Sequence, residues 1–200
     1  MNKRFLIVTG IVFSLILFLL MTAYFFGQAT RNIALPIYGE VNDFYLTDVN
    51  GKELGLPDLR NKVWVANFFF TTCSDICPMM TKHMAELNRS FELVPGIDLV
   101  SITVNPENDS PQVLRKYKQL QKAKKNWVFL TGPREAITDL AVKSFKLGDI
   151  KEPIFHSAKF ALVDKSGLIR GYYDGTNQPE INKLFKDCAR LLKEKANGYR

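Results

Sequence analysis

The segment Val63–Phe70 limits the fold of this chain more than any other. It is of strand length, nearly continuous in apolar residues, and rich in β-branched and aromatic side chains. A strand that is apolar on both faces has to be covered on both faces, as a central strand of an α/β sheet is. Ile97–Val104 repeats the pattern, and a helix start follows each run. Pro78 fits the first turn of a helix reaching about Leu93. Ser110 and Pro111 supply an N-cap and a first helical residue for a second helix, through about Lys122.

The rest of the chain continues the alternation. Phe44–Leu54 reads as a hairpin around Asn50-Gly51, a strong local hairpin signal. Trp127–Leu130 is a short third core strand and Pro133–Phe145 a third helix. Lys159–Val163 and Leu168–Tyr173 form a second hairpin around Lys165–Gly167, and an amphipathic helix from Pro179 to about Lys195 closes the order. This succession predicts an α/β fold, a mostly parallel sheet with helices on both faces and an antiparallel edge. Reactive groups in that class gather at the carboxyl ends of the strands, where the loop between Phe70 and Pro78 lies.

Two hundred residues suffice for one ordinary domain with a core, plus an appendage. The appendage is the N-terminus. After Lys3 and Arg4, Phe5–Phe26 holds no charged residue and only Thr9, Ser14 and Thr22 as polar ones. As a helix this stretch is about 33 Å long, enough to cross a hydrocarbon core. A cleavable signal has a shorter apolar region of about 7–15 residues, so an uncleaved anchor is the better reading, with Gly27–Ala29 the cleavage alternative. Lys3 and Arg4 keep the short N-terminus cytoplasmic. The expected division is an anchor over 1–30, a linker over 31–40 and a domain over 41–197. That domain lies on the periplasmic, extracytoplasmic side of a bacterial inner membrane.

The formal charge is +7, from 27 basic and 20 acidic side chains. Arg115, Lys116, Lys118, Lys122, Lys124 and Lys125 crowd one segment that lacks interleaved aromatics. This argues for a solvated helix face and against a nucleic-acid partner.

The chemistry concentrates in Cys73 and Cys77, at the end of the first core strand. An exported location permits disulfides, but three cysteines are too few for a disulfide scaffold. Positions four apart are neighbours on a helix face, so the two sulfurs can share an ion or bond to each other. A helix N-terminus stabilises negative charge, which predicts a lowered pKa for at least one thiol. With the lone His156 ahead of the last hairpin, the donor set is two sulfurs and one nitrogen. That is short of the four ligands of structural zinc or an iron–sulfur cluster, and it suits Cu(I) best. A dithiol that cycles with a disulfide stays open. Other side chains receive ordinary roles: His83 on a solvated helix face, Met79 and Met80 in packing, and Cys188 as a buried small hydrophobe; Asp75 either tunes the thiols or caps the helix, with capping favoured.

Phe70-Thr-Thr-Cys-Ser-Asp-Ile-Cys-Pro78, Thr103-Val-Asn-Pro-Glu-Asn-Asp-Ser-Pro111, Leu130-Thr-Gly132, and His156 ahead of Phe160–Asp164 together resemble the Sco/SenC family of membrane-anchored copper chaperones. Order and spacing agree over about residues 40–190. The resemblance implies a thioredoxin-like fold, a central mixed sheet flanked by helices, behind a single N-terminal transmembrane helix. It implies Cys73, Cys77 and His156 as copper ligands, for Cu(I) or Cu(II), with a Cys73–Cys77 redox disulfide. The implied function is copper delivery to the binuclear copper centre of cytochrome c oxidase. The implied partners are the copper-centre subunit of a haem-copper oxidase, a copper donor protein and a thiol reductant. Such a protein is a metallochaperone and not a classical enzyme. Asn105 stands where the family usually has Asp, and Phe155 where many members have Asp; both changes bear on partner recognition or redox tuning. An extracytoplasmic thiol–disulfide reductase or redox sensor is the main rival, although such reductases use C-x-x-C. A peroxidase reading fails at Phe70, where that motif needs proline.

Overall fold

The computed structural model describes residues 3–31, 34–148 and 157–194. It comprises two compact units, Met1–Leu35 and Pro36–Arg200. The first contains α1, Lys3–Arg31, a single helix through the apolar stretch. Among the described residues no helix is long and apolar enough to cross a membrane.

The second unit is built on one eight-stranded sheet. In chain order its strands are β1 (Gly39–Glu40), β2 (Tyr45–Asp48), β3 (Glu53–Gly55), β4 (Val63–Phe69), β5 (Ile97–Thr103), β6 (Trp127–Thr131), β7 (Lys159–Val163) and β8 (Leu168–Asp174). The helices are α2 (Leu56–Leu59), α3 (Cys77–Ser90), α4 (Pro111–Leu120), α5 (Arg134–Asp139), continued by a π-helical turn at Leu140–Ser144, and α6 (Gln178–Lys193). The spatial strand order is β1-β8-β7-β4-β5-β6-β2-β3.

Only β4–β5 and β5–β6 are parallel; every other neighbouring pair runs antiparallel. The mostly parallel sheet expected from the element order is therefore a mixed one. Two helical crossovers, through α3 and α4, make the parallel centre. The β2–β3 and β7–β8 hairpins then flank it on either side, and tight turns force antiparallel pairing. Gly167, at φ 87°, makes the second of those turns in a conformation that favours glycine.

The sheet buries both faces, as the apolar run at Val63–Phe70 requires. All seven residues of β4 are buried. Trp64, Ala66 and Phe68 face a core completed by Leu56, Leu59, Ile137, Leu140 and Phe145. The Phe145 ring meets Trp64 and Phe68 edge-on, with centroids 5.8 and 5.5 Å away. On the opposite face Asn67 accepts from Ser101 at 2.6 Å, and the Trp127 indole donates to Ser101 at 2.9 Å. These three polar groups satisfy one another, so they can sit in the core without stranding a donor.

The segment expected as a linker, 31–40, contains β1, and the last part of it is held by the sheet. Tyr38 donates its N–H to Ile169 at 2.8 Å. The buried Arg170 donates to the Pro36 carbonyl at 3.2 Å, to Asp164 at 2.8 Å and to Glu194 at 3.1 Å. One guanidinium thus ties the start of this unit, the β7–β8 turn and the end of α6 together.

Candidate metal and dithiol site

The site grows from the carboxyl end of β4. The strand stops at Phe69, residues 70–76 form a loop, and α3 begins at Cys77 with Pro78 in its first turn. Cys73 is half-buried in the loop, and Cys77 is only 5% exposed on the helix. Both are free thiols, and they interact: Cys77 hydrogen-bonds with the Cys73 side chain and with the Phe70 backbone. The structure brings the predicted pair together.

Its electrostatics differ from the expectation of a lowered thiol pKa at a helix N-terminus. The Cys77 thiol is pushed up from 9.0 to about 12, first by burial and next by the hydrogen bond with Cys73. The Phe70 backbone contact lowers it, while the charges of Cys73 and Asp75 raise it further. Desolvation penalises a thiolate more than the partial charge of one helix end relieves it. Cys77 therefore keeps its proton at neutral pH until something replaces that proton.

Asp75 does not cap α3. The N-cap is Ile76, with no side-chain hydrogen bond, and Asp75 is exposed. Ser110 does cap α4, accepting from the Val113 N–H at 3.5 Å. Met80 is buried as expected, whereas Met79, next to Pro78 in the chain, is 50% exposed.

An aromatic side chain lies near enough to the cysteines to feel their charge. Tyr117 of α4 lies 5.4 Å from the Phe69 ring, and its hydroxyl meets the Thr81 hydroxyl at 2.9 Å. Burial raises the Tyr117 pKa, and the charges of Cys77, Cys73 and Asp109 add to that effect. The basic segment itself is mostly a surface, as expected, except that Arg115 grips the Val49 carbonyl at 2.6 and 3.0 Å.

Asp109, which sequence reasoning did not single out, is fully buried next to the cysteine loop. It accepts from the Thr71 N–H at 3.1 Å, the Thr103 hydroxyl at 2.5 Å and the Thr71 hydroxyl. Its donors come from two separate segments, so no local pattern announces it.

His83 is buried, contrary to the solvated role expected of it. Its Nδ1 donates to the Gly175 carbonyl at 2.7 Å, so the ring carries a proton there. Gly175 in turn donates to the Ala158 carbonyl at 2.6 Å. The missed signal was the spacing of Met80, His83, Met84 and Leu87, which places His83 on the apolar stripe of α3. Cys188 is fully buried as expected, and burial raises its pKa. His156 and Phe155 lie outside the described residues. Among the described residues, no group of three or more His, Cys, Asp or Glu side chains is placed to hold a metal ion.

Comparison with known proteins adds four findings. The SCO1/SenC family model matches residues 38–193. The SCO1 protein homolog of Bacillus subtilis (strain 168) is 34% identical over 170 residues, covering 80% of this chain and 86% of that protein. The solved structure of BsSco, a member of the Sco family of cytochrome c oxidase assembly proteins in which a disulfide switch was identified, is 33% identical. It aligns with a TM-score of 0.72 over 82% of this chain and 99% of the other. The copper-bound structure of Bradyrhizobium japonicum ScoI shares the fold, with a TM-score of 0.62 at 24% identity over 76% of this chain and 99% of that one.

Proposed function

This chain belongs to the SCO1/SenC family, and from that premise we propose that it binds copper through Cys73, Cys77 and His156 and delivers it to the binuclear copper centre of cytochrome c oxidase during assembly. One observation carries the reading: two free thiols in mutual contact at the carboxyl end of a central strand. Their softness suits Cu(I), and an imidazole from His156 completes a low-coordinate set. The oxidase partner comes from what the BsSco relative is said to assemble.

The cysteines divide the work. Cys77, buried on the helix, gives a fixed sulfur; Cys73, half-exposed in the loop, gives one that a partner's thiolate can reach first. Binding displaces at least the Cys77 proton, because that thiol is neutral at physiological pH. Transfer then proceeds by stepwise replacement of these ligands by those of the copper-centre subunit. Exchange of the emptied pair with an extracytoplasmic disulfide forms the Cys73–Cys77 bond, breaks the other S–S bond and passes two electrons and two protons to it, and a thiol reductant restores the pair before a copper donor reloads it.

The same proposal assigns residues 1–30 to a membrane anchor and 41–197 to the copper-handling domain, outside the bacterial inner membrane. The connection over 31–40 has its last residues already paired into the sheet. Supporting the anchor are the uncharged stretch Phe5–Phe26 and the basic residues ahead of it. A thiol–disulfide reductase or redox-sensor role uses the same thiol contact without metal.

The deciding experiment titrates the reduced chain with Cu(I) beside Cys73→Ser, Cys77→Ser and His156→Ala. One-to-one binding weakened in all three variants is the expected result. Loss in the cysteine variants alone removes His156. A wild type that binds no copper yet readily reduces a test disulfide replaces the chaperone reading with the reductase one.

A further inference from the structure

Asp109 is buried at 0% exposure in the loop between β5 and α4. It spends its carboxylate on the cysteine loop. One oxygen accepts from the Thr71 N–H at 3.1 Å and the Thr103 hydroxyl at 2.5 Å, and the other accepts from the Thr71 hydroxyl. The Asp109 backbone is itself fixed, its N–H donating to the Asn105 carbonyl at 2.9 Å. The Asn105 N–H donates to the Thr103 hydroxyl at 3.0 Å, which closes the network.

Thr71 begins the turn that ends at Cys73, whose N–H donates to the Phe70 carbonyl at 3.3 Å. Both donors of Thr71, its N–H and its hydroxyl, are therefore held by one buried side chain, two residues before the thiol. The carboxylate reaches the dithiol through the loop's geometry, by way of Thr71.

We infer that Asp109 is a positioning residue for the Cys73–Cys77 pair, holding the loop so that the two sulfurs stay within bonding reach. This rests on the reading of the pair as a reversible dithiol given above. The step it governs is thiol–disulfide exchange with a small disulfide such as oxidised dithiothreitol. The Sγ–Sγ bond of Cys73 and Cys77 forms, the reagent's S–S bond breaks, and two electrons and two protons pass to the reagent. Loosening the loop lowers the effective concentration of one sulfur at the other, and so favours the dithiol.

The test equilibrates the intact chain with reduced and oxidised dithiothreitol and counts free thiols at Cys73 and Cys77 by mass spectrometry. Asp109→Ala shifts the equilibrium constant toward the dithiol by about tenfold, about 30 mV. Thr71→Val, which deletes a single hydroxyl contact and keeps the fold, shifts it the same way by a smaller factor. Asp109→Asn stays within about twofold of wild type, because an amide oxygen can accept from Thr71 and Thr103 while its NH2 donates to the Thr71 hydroxyl.

Wild-type behaviour in both Asp109→Ala and Thr71→Val overturns the inference. A shift in Asp109→Asn as large as in Asp109→Ala overturns it too, since charge would then be the cause. If Asp109→Ala fails to fold, Thr71→Val decides. A wild-type chain that forms no Cys73–Cys77 disulfide removes the dithiol reading itself, which is a different result from either.

Discussion

Alkylation of Cys77 in the reduced, metal-free chain tests the electrostatics of the site. The thiol is 5% exposed and its pKa is raised from 9.0 to about 12, with burial the leading cause. At pH 8 the thiolate population is then about a thousandfold below that of an ordinary cysteine, a differential of roughly 4 kcal/mol between protonation states. Because iodoacetamide attacks only the thiolate, the Cys77 labelling rate keeps climbing tenfold per pH unit past 9. Peptide fragmentation separates Cys77 from Cys73. The linkage has a definite sign. The folded chain holds this proton to higher pH than the unfolded chain does, so the contribution to stability is complete below about pH 9. It is lost progressively as pH rises toward about 12. A Cys77 labelling midpoint at or below 9, in folded protein, refutes the burial argument.

Two further perturbations address the frame around the site. Arg170→Met leaves the carboxylate of Asp164 buried without its 2.8 Å ion pair and frees the Pro36 carbonyl and Glu194, so it costs about 3 kcal/mol in urea unfolding; a loss below about 1 kcal/mol contradicts that role. His83→Leu fills the same apolar stripe but strands the Gly175 carbonyl, costing about 1–2 kcal/mol while copper stoichiometry stays unchanged. Loss of copper binding in a folded His83→Leu chain would make His83 a ligand after all.

Much of this molecule was legible in its sequence because the informative signals were local. The apolar run at Val63–Phe70, the Ser110-Pro111 helix start and the Asn50-Gly51 turn each became the element they announce. Strand direction was less legible. The alternation of elements suggests parallel pairing, whereas the placement of the two hairpins is decided by tertiary packing. The short β1 and α2 also escaped notice, each being too brief for periodicity to register. At the site, Cys73 and Cys77 were plain from their spacing. Burial was not: it raises the Cys77 thiol where a lowered pKa was expected of at least one of the pair, and it hid His83 in the core. Asp109 escaped because Thr71 and Thr103, its partners, meet it only once β4 and β5 lie side by side.

The central claim is that copper sits on two sulfurs of this chain and one of its imidazoles. X-ray absorption at the copper edge of the Cu(I)-loaded intact chain tests it most directly. Two sulfur scatterers with one imidazole nitrogen are predicted, with the imidazole signature lost in His156→Ala and one sulfur lost in Cys73→Ser or Cys77→Ser. A copper surrounded by sulfur alone, or an imidazole signal that survives His156→Ala, contradicts the account.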